Sequence, residues 1–148
     1  MANVKTFQKI LDYRQVQKND AQMAYSQSVE SFEAIATKLY NLLRKKEEIE
    51  RQYQTYIENV GTVTTIATHY SYLEQLNKKI LQLEVTVNKA RNEMDIKQLA
   101  LTDAHIEVKK FEKLIEQKKQ KQVQLELIED NKVMDETSVR QFLFHKDR

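Results

Sequence analysis

The three histidines, at 69, 105 and 145, are the residues of this sequence most able to hold a metal or carry a proton near neutral pH. None of them has a second histidine or a paired carboxylate at a spacing that closes a metal site. His69 also falls on a hydrophobic repeat, where a structural role is the expected one. The sequence has no cysteine and a single glycine. It therefore carries no thiolate chemistry, no phosphate-cradling glycine loop and no nucleophile elbow. Catalysis is not expected, and neither is a cofactor or a small-molecule substrate.

The chemistry that remains belongs to lysine, arginine and tyrosine, which act by touching other molecules. Residues 1–20 carry Lys5, Lys9, Arg14 and Lys18 against Asp12 and Asp20. Residues 109–121 carry Lys109, Lys110, Lys113, Lys118, Lys119 and Lys121 against Glu112 and Glu116. If these two segments lie side by side they make a basic patch, suited to an acidic socket, an anionic membrane surface or nucleic acid. A plain solvated face is the competing reading for any single lysine. A second group is tyrosine-rich: Tyr53, Tyr56, Tyr70 and Tyr72. Tyr53 and Tyr56 lie on the hydrophobic repeat, where most tyrosines pack. Tyr70 and Tyr72 lie off it and are better placed to meet a partner.

The elements that must position these groups follow from the spacing of apolar residues. A 3-4 repeat runs from Val4 through Phe7, Leu11, Ala21, Phe32, Leu39, Ile49 and Tyr56 to Val60, interrupted by Arg14, Lys18, Ser28 and Lys46. A second repeat runs from Ile66 through Leu73, Leu76, Ile80, Val87, Met94, Val108 and Phe111 to Ile115. Continuing the first repeat past Val60 would call for Ala67, not Ile66. One residue is about 100° of helix rotation, so a single straight helix would not keep one seam. Between the repeats stands Gly61-Thr-Val-Thr-Thr-Ile-Ala-Thr68, with the only glycine of a proline-free chain and a run of β-branched residues. Glycine just past the last helical residue is the usual helix stop, and β-branched side chains lose rotamer freedom in a helix.

These observations predict an all-α fold: a long two-helix antiparallel hairpin, coiled left-handedly as a repeat of 3.5 residues requires. The expected boundaries are helix 1 at about 4–60, capped by Asn3 or Thr6, and a turn at about 61–65. Helix 2 is expected at about 66–134, with a tail at 135–148. Pairing Val60 with Ile66 brings Val4 opposite about Gln122, where the second repeat decays. The two basic segments then lie together at the end away from the turn. Residues past about 125 have no partner opposite them.

At 148 residues with 31% charged, the chain suits a single coiled-coil domain better than a large globular core. The net charge of +2 is too small to demand a nucleic-acid partner. No apolar run approaches the roughly 18 residues needed to span a bilayer, and no signal-peptide core is seen near the amino terminus. A cytoplasmic protein is expected.

The segment Phe7-Gln-Lys-Ile-Leu-Asp-Tyr-Arg14, the segment Ile106-Glu-Val-Lys-Lys-Phe-Glu-Lys-Leu114 with the Lys/Gln-rich stretch after it, and the pair Asp135-Glu136 resemble, in order and spacing, the flagellar export family FliJ. The resemblance covers nearly the whole chain. It implies a non-enzymatic component of the flagellar type III export apparatus, with an antiparallel coiled coil similar to the central stalk of rotary ATPases. It implies three partners: a FliI-like export ATPase whose assembly it promotes, a FlhA-like export gate protein, and chaperones of export substrates. It implies a place at the cytoplasmic face of the inner membrane, held there through those partners. On this reading Phe7, Leu11, Arg14, Lys109, Lys110, Lys113 and Lys118 serve the ATPase, and Tyr53, Tyr56, Tyr70, Tyr72 and Leu76 serve the gate. Two alternatives stand beside it. One is a dimerising structural coiled coil of parallel, uninterrupted helices. The other, more distant, is a nucleic-acid-binding arm, which the scarcity of arginine clusters disfavours.

Overall fold

The computed structural model of the chain describes residues 2–59 and 62–146, with side chains from 4 to 59 and from 62 to 145. Two helices account for almost all of it. Helix α1 spans Ala2–Glu58, 57 residues, and helix α2 spans Val63–Lys146, 84 residues. No strand occurs among the described residues. Both helices form because good helix formers fill their surfaces and nothing interrupts them.

The break between the helices lies where the repeats change phase. The α-helical bonding of α1 ends with the Asn59 N–H donating to the Thr55 carbonyl at 3.0 Å. Gly61, the expected helix stop, lies outside the described residues, as does Val60. Helix α2 begins earlier than the spacing predicts. Thr62 is its cap: its hydroxyl oxygen accepts from the Thr65 N–H at 3.2 Å, and its carbonyl accepts from the Ile66 N–H at 3.0 Å. Val63, Thr64 and Thr65 are therefore helical rather than part of the turn. The Thr68 hydroxyl is satisfied within the helix, donating to the Thr64 carbonyl one turn back at 2.9 Å. At its amino-terminal end α1 already includes Asn3 and Thr6, so neither caps it. The helix also continues through residues 135–146, where a tail was expected. No glycine or proline occurs there to stop it, and each residue added to an existing helix carries only a small cost.

The chain divides into two compact units. The first comprises Met1–Lys18 with Asp103–Arg148, the second Asn19–Thr102. In each, a stretch of α1 runs antiparallel to a stretch of α2. In the second unit Phe32 meets Arg91, Lys45 meets Tyr72 and Tyr56 meets His69, so partner numbers fall as α1 numbers rise. In the first, Phe7 meets both Phe111 and Lys118, and Arg14 meets Phe111.

Each unit buries a narrow strip. In the first, Leu11, Val108 and Ile115 form the core, with Val4, Phe7 and Phe111 packed against it. In the second, Leu76, Ile80 and Val87 are buried on α2. All six buried hydrophobics belong to the repeats read from the sequence. The polar seam members are accommodated in different ways. Ser28 is buried, and its hydroxyl donates to the Tyr25 carbonyl at 2.6 Å. Lys46 and Lys97 turn outward to Glu50 and Glu93 on their own helices, at 3.9 and 3.6 Å. Their aliphatic stems pack while their charges stay wet.

Candidate interaction surfaces

In the first unit, the side chains Phe7, Leu11, Arg14 and Lys118 are drawn into one cluster. The Phe7 ring lies 6.2 Å from that of Phe111, centroid to centroid, and the Lys118 ammonium stands 4.7 Å over the Phe7 ring. The Arg14 guanidinium lies 5.9 Å from the Phe111 ring and donates through Nη1 to Gln17 Oε1 at 3.0 Å. Leu11 is buried beside Val108 and Ile115. These four residues hold the two helices together, so their side chains are largely engaged within the chain. Arg14 is held imperfectly: its Nε is buried and has no hydrogen-bond partner. The remaining lysines of the 109–121 segment, Lys109, Lys110, Lys113, Lys119 and Lys121, are exposed. Lys109 reaches Glu112 at 3.4 Å, a surface ion pair of the kind that contributes little.

Two features of this unit were not singled out by residue type. The first is an open groove of about 620 Å³ floored by Leu11, Ile115 and Val123 and edged by Glu112, Glu116 and Lys119. The second is the run of α2 from 123 to 145, exposed at every residue. Val123, Leu127, Ile128, Met134, Val139 and Phe142 are 55% to 68% exposed along it. At about 100° per residue these side chains do not share a face. Val123, Leu127 and Met134 point one way; Ile128 and Val139 point more than a right angle away, with Phe142 between the two groups. The sequence signals this stretch only through the loss of the repeat. Its charges come in blocks, with Glu126, Glu129, Asp130, Asp135 and Glu136 following the lysines of 109–121.

In the second unit the tyrosines separate into two kinds. Tyr53 and Tyr56 pack on His69, at 6.2 and 5.0 Å between ring centroids, which gives His69 the structural place its seam position implies. Tyr56 nevertheless remains 44% exposed. Tyr70 and Tyr72 face outward, at 63% and 40%. The Lys45 ammonium sits 5.6 Å over the Tyr72 ring, and a hydrogen bond from the lysine to the tyrosine raises the Lys45 pKa above its ordinary value. Leu76 is buried, so its side chain serves the core.

The arrangement suits recognition. Among the described residues no group of three or more His, Asp or Glu is placed to hold a metal ion, and no helix is long and apolar enough to cross a membrane. The clefts are open grooves, which do not exclude water around a reacting atom. The sequence matches the family model described as flagellar FliJ protein over residues 3–146. It is similar to the flagellar FliJ protein of Bacillus subtilis (strain 168), with 34% identity over 147 residues covering 97% of each chain. No solved structure matches it.

Proposed function

The chain belongs to the flagellar FliJ protein family, and on that premise we propose that it is a stalk-like adaptor of flagellar protein export. In this reading it binds the export ATPase, promotes its assembly, and links it to the export gate and to substrate chaperones at the cytoplasmic face of the membrane. The family itself supports the coarser statement, an export-associated flagellar protein without catalytic duty.

One observation carries the ATPase assignment. The exposed helix from 123 to 145 bears apolar side chains around its circumference. A helix that docks on one surface needs one apolar face; a helix apolar on several sides is suited to being enclosed. A ring of subunits closing around this segment would cover all of it, and the exposed Lys109, Lys110 and Lys113 would then face the ring's rim. The gate assignment falls to the outward-facing aromatics Tyr56, Tyr70 and Tyr72. Leu76 would act there only through the core it supports.

Capture of the export ATPase by the full chain tests the reading. Reversing Lys109, Lys110 and Lys113 to glutamate should weaken capture and hexamer formation by on the order of tenfold or more at low salt, with helicity unchanged. Replacing Ile128, Val139 and Phe142 with aspartate should abolish capture. If both variants assemble the ATPase as the unaltered chain does, this end of the molecule is not the ATPase-binding end.

A further inference from the structure

The uncovered run of α2 holds a stripe that can close on a copy of itself. Leu125, Ile128, Val139 and Phe142 are 57% to 66% exposed, and Lys132 and Asp135, between them, are exposed as well. The positions 125, 128, 132, 135, 139 and 142 keep a strict 3-4 spacing and fall within a sector of about 100° at 100° per residue. Val108 and Ile115, in the core shared with α1, lie more than about 120° around the helix from the middle of that sector, so α1 leaves it open. Lys121, one step further back on the same face, ends the apolar stripe.

The order of residue types along the stripe is its own complement. Reversal about the midpoint between Val133 and Met134 exchanges Leu125 with Phe142, Ile128 with Val139, and Lys132 with Asp135. Apolar positions map onto apolar ones, and the one cation of the stripe maps onto its one anion. A two-fold pair of antiparallel helices needs this match, because both copies present the same patch. We propose that residues 125–142 of α2 pair with the same residues of a second copy of this chain, antiparallel, as a short two-stranded coiled coil. Its layers are Leu125 on Phe142, Ile128 on Val139 and Lys132 on Asp135, then the same three in reverse. The central ion pair, made twice, sets the register. Sliding one copy by a heptad would put Lys132 against Phe142 or Ile128. In a parallel pair Lys132 would face Lys132 and Asp135 would face Asp135.

Composition also sets the strength. A strip from 125 to 142 is about 27 Å long and one helix wide, which buries less than the roughly 800 Å² per partner of a standard interface. Along one edge Glu129 of each copy approaches Glu136 of the other, and Lys132 beside them offsets only part of that repulsion. The dimer is therefore weak and reversible, and the dilute chain is a monomer. The stripe lies on the helix assigned above to the export ATPase, so an enclosing ring and a second copy exclude each other.

Sedimentation equilibrium of the full chain over a concentration series tests this. The expected result is a monomer–dimer equilibrium. Ile128→Asp and Val139→Asp should each raise the dissociation constant on the order of tenfold or more. Both positions are exposed in the single chain, so its urea midpoint at low concentration should not move. Lys132→Asp sets a carboxylate against Asp135 and should weaken the dimer on the order of tenfold, and adding Asp135→Lys in the same chain should restore it. Glu129→Gln with Glu136→Gln should tighten it about three- to fivefold. Orientation is read by oxidation, since the chain has no cysteine of its own. A mixture of Ile128→Cys and Val139→Cys chains should cross-link, and Ile128→Cys alone should not. A chain that stays monomeric throughout overturns the proposal and leaves the stripe to a different protein. A dimer that persists unchanged in the Ile128→Asp, Val139→Asp double variant overturns it too. Cross-linking of Ile128→Cys to itself, or failure of the Lys132→Asp, Asp135→Lys variant to recover, overturns the antiparallel register. These readouts use this chain alone, so their failure is distinguishable from failure of the proposed function.

Discussion

Arg14 poses the sharpest question at the scale of single residues. It occupies a seam position, its Nε is buried without a partner, and among the described residues its guanidinium meets the Phe111 ring and the Gln17 side chain. A cation–π contact at a partly desolvated site contributes about 1 to 2 kcal/mol. Leaving a charged donor unsatisfied costs about as much or more. A leucine at the same position would extend the core of Leu11, Val108 and Ile115 without that penalty. Arg14→Leu is therefore expected to leave stability unchanged or raise it by about 1 kcal/mol, measured by urea denaturation. Leu11→Ala, in contrast, should cost about 2 to 3 kcal/mol, at the low end for a buried leucine because the groove beside it already admits water. An arginine that can be replaced with no loss of stability, but with loss of ATPase capture, is retained for its partner. A loss of about 1 kcal/mol or more in Arg14→Leu would instead make the Phe111 contact its reason.

At the scale of elements, the seams were legible and the ends were not. Leu76, Ile80, Val87, Val108 and Ile115 could be named as inward-facing from spacing alone, because burial of a stripe is the only way such a helix gains stability from packing. The start of α2 could not. Threonine is as good a cap as it is a poor helix interior residue, and four threonines in a row of seven offered several places to begin. The structure selects Thr62, whose hydroxyl both accepts from the Thr65 N–H and lies 2.7 Å from the Thr65 hydroxyl. Thr62→Ala should cost about 0.5 to 2 kcal/mol, the usual range for a lost cap. Because α2 is long, the effect should be local: amide exchange should quicken at residues 63–66 and stay unchanged at Ile80 and Val87. If the first turn exchanges as before, the cap is not Thr62. The end of α2 was illegible for a different reason. A tail is expected from about 135, yet the helix continues to Lys146: loss of the repeat after Ile115 marks the loss of a partner from the chain itself, not the end of the helix.

For the molecule as a whole, that distinction separates what holds the fold together from what the fold presents. The cores lie along the repeats, and the exposed apolar helix lies where the repeats fail. Phe7, Leu11 and Leu76, expected to meet partners, are engaged internally, and the exposed apolar helix carried no motif to announce it. The run from 123 to 145 buries almost nothing, so it should be the least protected helix of the chain. In isolation its amides are expected to exchange orders of magnitude faster than those of residues 104–115. Ending the chain after Gln122 should remove helicity in proportion to the residues lost, while moving the unfolding midpoint by no more than about 1 kcal/mol of stability, because the core of Leu11, Val108 and Ile115 survives. Bound to the export ATPase, the same amides should become protected, since an enclosing partner must cover all sides of the helix. Protection confined to one face, at Ile128, Val139 and Phe142 but not at Val123, Leu127 and Met134, would mean a flat docking surface. The ring would then have to be abandoned as the occupant, even with ATPase binding intact.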